Sequence, residues 1–174
     1  MEPAIIILLL ATVLSTAVVT DLRSSRIPNW LTFSSMGMGI LIQTWIGGVH
    51  GALLSLAGLG IGMGLFVMLY ACGAMGAGDV KLMAAIGTIV GPASVLSVAV
   101  LSVLVGGLYA LGAMTYQWGL AGTSKKLVGV TYGALVTGGT TGVGELRLPF
   151  KLRYGLAIAA GTLLFLAGVQ PFGG

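Results

Sequence analysis

The chain has 174 residues, of which 57% are hydrophobic and 7% charged, and its mean hydropathy is +1.08. A soluble domain carries about 25% charged residues, so this composition excludes an ordinary soluble protein and is typical of an integral membrane protein. No nucleic-acid partner is predicted from the net charge of +4, because basic residues mark cytoplasmic loops in membrane proteins, and the single cysteine excludes an internal disulfide or a multi-cysteine zinc site.

The apolar runs predict an all-α bundle of about six membrane-spanning helices that forms one domain over residues 1–174. The runs fall at about 4–20, 30–47, 51–72, 80–91, 93–117 and 154–170. A span needs about 20 residues, and one helix over 80–117 would be about 57 Å long, so a break is predicted at Gly91-Pro92. The first run follows Glu2 rather than a basic segment, which favours a span with its N-terminus outside over a cleaved leader.

The basic residues predict which loops face the cytoplasm. With the N-terminus outside, the cytoplasmic segments are 21–29, 73–81 and 118–153, whereas the outer segments lie around 47–50, 91–93 and 171–174. The cytoplasmic segments hold every basic residue of the chain: Arg23, Arg26, Lys81, Lys125, Lys126, Arg147, Lys151 and Arg153. This distribution follows the positive-inside rule. The apolar stretch 127–143 is therefore assigned to a cytoplasmic or interfacial part of the loop 118–153, because a crossing there would separate its flanking charges.

The chain has only two aspartates, Asp21 and Asp79, and each lies where a long apolar run meets a basic or glycine-rich stretch. A carboxylate at membrane depth costs roughly 2.5–3.5 kcal/mol on insertion scales, so an aspartate kept there indicates a functional site. The predicted topology places Asp21 at the end of the first span and Asp79 at the start of the fourth. Both therefore lie at the cytoplasmic edge, where two carboxylates at equal depth can meet in a packed bundle.

Each aspartate also has a simpler structural explanation. Asp21 could be an interfacial residue that pairs with Arg23 or Arg26. Asp79 precedes an apolar helix and could cap its N-terminus, which aspartate often does. When each aspartate is considered alone, the sequence does not distinguish a structural role from a catalytic one.

The motifs around the two aspartates favour the catalytic interpretation. Asp21 is followed by arginines and then by Ile27-Pro28-Asn29, and Asp79 lies in Gly76-Ala77-Gly78-Asp79-Val80-Lys81. A late block contains Arg147-Leu148-Pro149-Phe150 and Tyr154-Gly155-Leu156-Ala157-Ile158-Ala159. With these motifs the chain resembles, over essentially its whole length, the type IV prepilin peptidases, which are intramembrane aspartic proteases. It is similar to the short members that are associated with tight-adherence (Flp) pili.

The resemblance implies that Asp21 and Asp79 are a catalytic pair that activates water, with no metal, cofactor or covalent intermediate. The implied substrate is a prepilin or pseudopilin, a membrane helix whose basic leader is cut at the cytoplasmic side of the bacterial inner membrane. Gly76, Gly78 and Lys81 are candidates for substrate binding or backbone flexibility. The alternatives are a plain flexible connection for the glycines and a topology determinant for Lys81.

Larger members of the family carry an extra cytoplasmic domain with paired cysteines and also methylate the new pilin N-terminus. This chain has one cysteine and only the short segment 21–29 between its first two spans, so we expect no zinc and no methyltransferase activity. Two other kinds of protein would also use this composition. One is a small proton-coupled transporter or channel with the aspartates as relay groups, and the other is a scaffold subunit with structural aspartates.

Overall fold

The computed structural model describes residues 2–24, 26–71, 73, 75–136, 154–169 and 171, and within them all regular secondary structure is helical. The helices are α1 (Glu2–Ser24), α2 (Asn29–Ala71), α3 (Ala77–Val90), α4 (Pro92–Val136) and α5 (Tyr154–Leu166). Stretches of α1, α2 and α4 are long and apolar enough to cross a membrane, and α5 is a shorter apolar helix. The predicted all-α membrane bundle is confirmed.

Helix α2 consists of two antiparallel arms, residues 29–47 and 49–71, which correspond to the second and third predicted spans. Gly48 separates them with φ 58° and ψ −142°, a backbone conformation that favours glycine. A methyl group at Gly51 would collide with the carbonyl oxygen of Gln43. In a straight helix these two residues would be about 12 Å apart, so the second arm folds back along the first.

Helix α3 packs against both arms of α2 through glycine contacts. Gly58 and Gly87 face each other so closely that a methyl group on either would collide with the carbonyl oxygen of the other. A methyl group at Gly62 would likewise lie 2.7 Å from the carbonyl oxygen of Met83. Small residues at these positions let helix backbones approach each other, which is how membrane helices gain packing energy. As a result, α3 is buried along most of its length.

Polar side chains from both arms of α2 hold the C-terminal end of α3. Gln43 donates a hydrogen bond from Nε2 to the carbonyl oxygen of Ile89 at 2.7 Å, and Ser55 donates one to the carbonyl oxygen of Thr88 at 2.8 Å. The last carbonyls of a helix lack hydrogen-bond partners within the helix, so the side chains of α2 provide partners for these two carbonyls. The helix then ends at Gly91, with φ 82°, and α4 begins at Pro92, where the sequence predicted a break.

Helices α4 and α5 complete the described bundle. The first part of α4 runs antiparallel to α5, since Gly161 packs against the backbone of Ser102 and Gly106 lies next to Tyr154. Helix α4 changes direction at Gly119, with φ 68° and ψ 170°. Beyond it the described part of the predicted loop 118–153 is helical as far as Val136. Its place on the cytoplasmic side stays a prediction, and residues 137–153 lie outside the described residues.

The contact between Gly58 and Gly87 predicts a specific loss of stability. We expect Gly58→Ala and Gly87→Ala each to lower the free energy of unfolding by about 1–3 kcal/mol, because the added methyl group must push the two backbones apart. Gly60→Ala is the control, since position 60 has open space around it and alanine favours the helix. Thermal unfolding of the purified protein in detergent measures the difference. Equal stabilities of all three variants would contradict this account of the packing.

Candidate active site at the ends of α1 and α3

Helical periodicity brings Asp21 to the inner face of α1. Leu10, Leu14 and Ala17 are buried, and Asp21 continues their spacing of three and four residues, so it lies on the same side of the helix. Only 6% of Asp21 is exposed, although it stands near the end of the helix. Its neighbour Arg23 is exposed, because it points away from this face. The carboxylate is therefore directed into the bundle.

Asp79 lies in the first turn of α3 and is 8% exposed. Its Oδ2 accepts a hydrogen bond from the backbone N–H of Gly76 at 3.0 Å, and its own backbone N–H donates to the carbonyl oxygen of Gly76 at 3.1 Å. These are the contacts of a residue that helps to cap a helix from inside its first turn. The N-cap position itself is Gly76, so Asp79 does not precede the helix as the sequence suggested but caps it from the third helical residue. The bond to Gly76 also fixes the orientation of its carboxylate. Helix N-termini stabilise negative charge, so a carboxylate suits this position.

The two aspartates line the same cavity, which has a volume of about 730 Å³. The cavity is surrounded by the end of α1, by the beginnings of α2 and α3, and by the residues that precede α2 and α3. Its lining consists of Thr20, Asp21, Ser24, Arg26, Ile27, Pro28, Asn29, Trp30, Gly76, Ala77, Gly78, Asp79 and Lys81. The structure therefore brings together every residue that the sequence singled out as a site candidate. A cavity of this size is within the range of about 300–1,000 Å³ that is common for binding sites.

The glycines before Asp79 differ in what the structure requires of them. Gly76 has φ −89° and ψ 157°, an extended conformation that any residue adopts, whereas the positive φ in this connection, 74°, belongs to Gly73. A methyl group at Gly78 would lie 3.2 Å from Cβ of Ile27, which is buried in the connection between α1 and α2. Gly78 therefore allows a close contact between two walls of the cavity. The roles of Gly76 and Gly78 in substrate binding or flexibility stay predictions.

Lys81 connects α3 to the beginning of α2 at the edge of the cavity. Its Nζ donates a hydrogen bond to Oδ1 of Asn29 at 2.9 Å and lies 5.4 Å from the ring centroid of Phe33. A cation at this distance from an aromatic face is attracted to the ring. Lys81 is thus held by two side chains of α2 while it lines the cavity.

The first turn of α5 contacts Asp21, and the sequence predicted no role for it. A methyl group at Gly155 would lie 2.8 Å from Oδ2 of Asp21, so the carboxylate packs directly on the glycine. Tyr154, the residue before it, is half-buried. The only signal in the sequence was the late Tyr154-Gly155 block, which the resemblance included without a function. In the described part of the chain, no three His, Cys, Asp or Glu side chains lie together as a metal site would need.

Comparison with known proteins identifies one matching family. The model of the type IV leader peptidase family matches residues 8–111, which are 104 of the 174 residues. The matched segment contains both aspartates and every residue that lines the cavity. The comparisons with curated proteins and with solved structures gave no match.

The bond between Lys81 and Asn29 predicts a measurable coupling between α2 and α3. In a double-mutant cycle of Lys81→Met and Asn29→Ala, we expect a coupling free energy of about 0.5–1.5 kcal/mol, because either substitution alone already removes the bond. The same cycle with the exposed Lys125→Met in place of Lys81→Met is the control and should give additive effects. Unfolding in detergent provides the free energies. Additivity of the Lys81 and Asn29 substitutions would show that this bond contributes nothing to stability.

Proposed function

The chain belongs to the type IV leader peptidase family, and we propose that Asp21 and Asp79 are the catalytic pair that carries its peptidase activity. One observation carries this proposal: both carboxylates are buried and both line a single cavity. They lie on different helices and far apart in the sequence, so their presence in one cavity requires the tertiary fold. Two carboxylates that line one site are the arrangement that aspartic proteases use.

Two neighbouring carboxylates of this kind share one proton and titrate as a pair. The ionised carboxylate takes a proton from a water molecule, and the water oxygen attacks the carbonyl carbon of the scissile peptide bond. The protonated carboxylate donates its proton to the carbonyl oxygen, which gives a neutral tetrahedral diol. Collapse of the diol breaks the C–N bond while one carboxyl group protonates the leaving amine and the other accepts a hydroxyl proton. This route consumes one water and needs no other reactant.

The surroundings of each carboxylate support this chemistry. The bond from the backbone N–H of Gly76 holds Asp79 in one orientation, which reduces the reorganisation that catalysis requires. The cavity is lined by hydroxyl and amide side chains, including Thr20, Ser24 and Asn29, which suit a site that must hold water. Membrane helices otherwise offer few such groups, so polar side chains in a cavity with two buried acids are consistent with hydrolysis.

We further propose that the substrate is a prepilin-like protein whose basic leader is removed at the cytoplasmic face of the bacterial inner membrane. The family supports prepilin-like substrates in general. Arg23, Arg26 and Lys81 lie at the same end of the bundle as the aspartates, and basic residues mark the cytoplasmic side. With this orientation the N-terminus of the chain faces outward. A leader that remains in the cytoplasm then reaches the cavity directly, after the substrate helix unwinds locally to expose its peptide bond.

Cleavage of a prepilin by the purified protein in detergent tests the catalytic pair. We expect Asp21→Asn and Asp79→Asn each to reduce the cleavage rate by at least about 10³-fold, because the amide cannot transfer the proton. Glu2→Gln is the matched control, since it makes the same change at the opposite end of α1, about 28 Å along the helix. It should cleave at the wild-type rate.

Two results would contradict the proposal. Normal cleavage by either aspartate variant would exclude a two-aspartate mechanism. Proton flux through liposomes that contain the wild-type protein, with no proteolysis of any tested prepilin-like substrate, would instead favour the transporter in which the same residues relay protons.

A further inference from the structure

The two aspartates belong to different packing units of the bundle. Asp79 stands on α3, which is locked between the arms of α2 by glycine contacts and polar side chains. Asp21 stands on α1, which packs on α2, α3 and α5. Helix α5 in turn is fixed to α4, because Gly161 lies directly on the backbone of Ser102. The separation of the carboxylates therefore depends on how these two units are joined.

The contact between Gly155 and Asp21 joins α5 to the first carboxylate. A methyl group at position 155 would lie 2.8 Å from Oδ2, 3.2 Å from Cγ and 3.3 Å from Cβ of Asp21. All three distances are shorter than ordinary van der Waals contacts of a Cβ atom. Glycine leaves room for the carboxylate where it stands, and a side chain at position 155 would require the carboxylate of Asp21 to shift.

The ring of Tyr154 fixes the same turn to α4. It lies against Gly106, where a methyl group would be 2.7 Å from Cε1 and 3.2 Å from Cζ of the ring. The turn that contacts Asp21 is therefore held in place by α4.

We propose that Gly155 is a positioning residue that determines where the Asp21 carboxylate lies relative to Asp79. Gly155 provides the space for Asp21, and the packing of Tyr154 on Gly106 holds the turn in place. Gly155 acts through Asp21 and need not contact the substrate. The catalytic consequence rests on the proposed function, whereas the effect on the carboxylates themselves does not.

Gly155→Ala, compared with Gly107→Ala, tests the first half of this proposal. We expect Gly155→Ala to lower kcat for prepilin cleavage by about 10–100-fold with little change in KM, because displacement of a catalytic group by about 1 Å has effects of this size. Position 107 has open space around it, so Gly107→Ala should match the wild type. Alanine favours a helix, so neither variant should melt at a much lower temperature. An unchanged kcat for Gly155→Ala would overturn the role of Gly155.

Gly106→Ala tests the second half. The added methyl group would lie 2.7 Å from Cε1 of Tyr154, so it should move the turn that carries Gly155. We expect kcat to fall as it does for Gly155→Ala, again with little change in KM. A wild-type kcat for Gly106→Ala would overturn the role of the contact between Gly106 and Tyr154.

Labelling of the carboxyl groups by a hydrophobic carbodiimide gives a readout that does not depend on cleavage. This reagent modifies protonated carboxyl groups, and mass spectrometry reports the modified fraction of Asp21 and Asp79 separately. We expect Gly155→Ala to shift the pH midpoint of Asp21 labelling, and Gly107→Ala to leave it unchanged. If the wild type cleaves no prepilin, the proposed function fails while the labelling still decides the positioning role. Identical labelling of Asp21 in both variants would overturn that role even in an active peptidase.

Discussion

The contact of α3 with both arms of α2 through glycine is the constraint on which the rest of the structure depends. Lipid tails are as apolar as leucine, so helices in a membrane gain little from hydrophobicity when they associate and rely on close packing instead. Gly58 and Gly87 bring two backbones together where any side chain would separate them. This contact fixes the depth and rotation of α3, and with them the position of Asp79 in its first turn.

The short length of α3 explains why its packing matters for the chemistry of the site. A helix of 14 residues is about 21 Å long, which is less than the hydrocarbon thickness of about 30 Å. Side chains of α2 satisfy its C-terminal carbonyls, and the cavity adjoins its N-terminal turn. A short helix that is anchored at one end and opens on a cavity at the other can hold a carboxylate and still leave room for water. The proposed hydrolysis needs both conditions.

Patterns local in sequence predicted the parts of this arrangement that depend on local chemistry. The break at Gly91-Pro92 follows from span length and turn residues, and the position of Asp21 at the end of the first helix follows from where the first apolar run ends. Contacts between helices leave no such signal. The distance between Gly155 and Asp21, or the bond from Lys81 to Asn29, depends on the rotation of one helix against another, which periodicity does not specify. The sequence therefore identified the site candidates that line the cavity but missed the contacts that hold them in place.

The proposed catalytic residues and the proposed positioning residue lie in different parts of this chain. The segment that matches the family, residues 8–111, contains both aspartates and the whole cavity lining and ends before α5 begins. The first turn of α5 nevertheless contacts Asp21. The interaction between two charged groups depends on their separation, so a helix that determines where Asp21 lies also bears on the interaction within the proposed pair. The helix outside the matched segment is thus in a position to tune the reactivity of the pair while the residues of the pair stay the same.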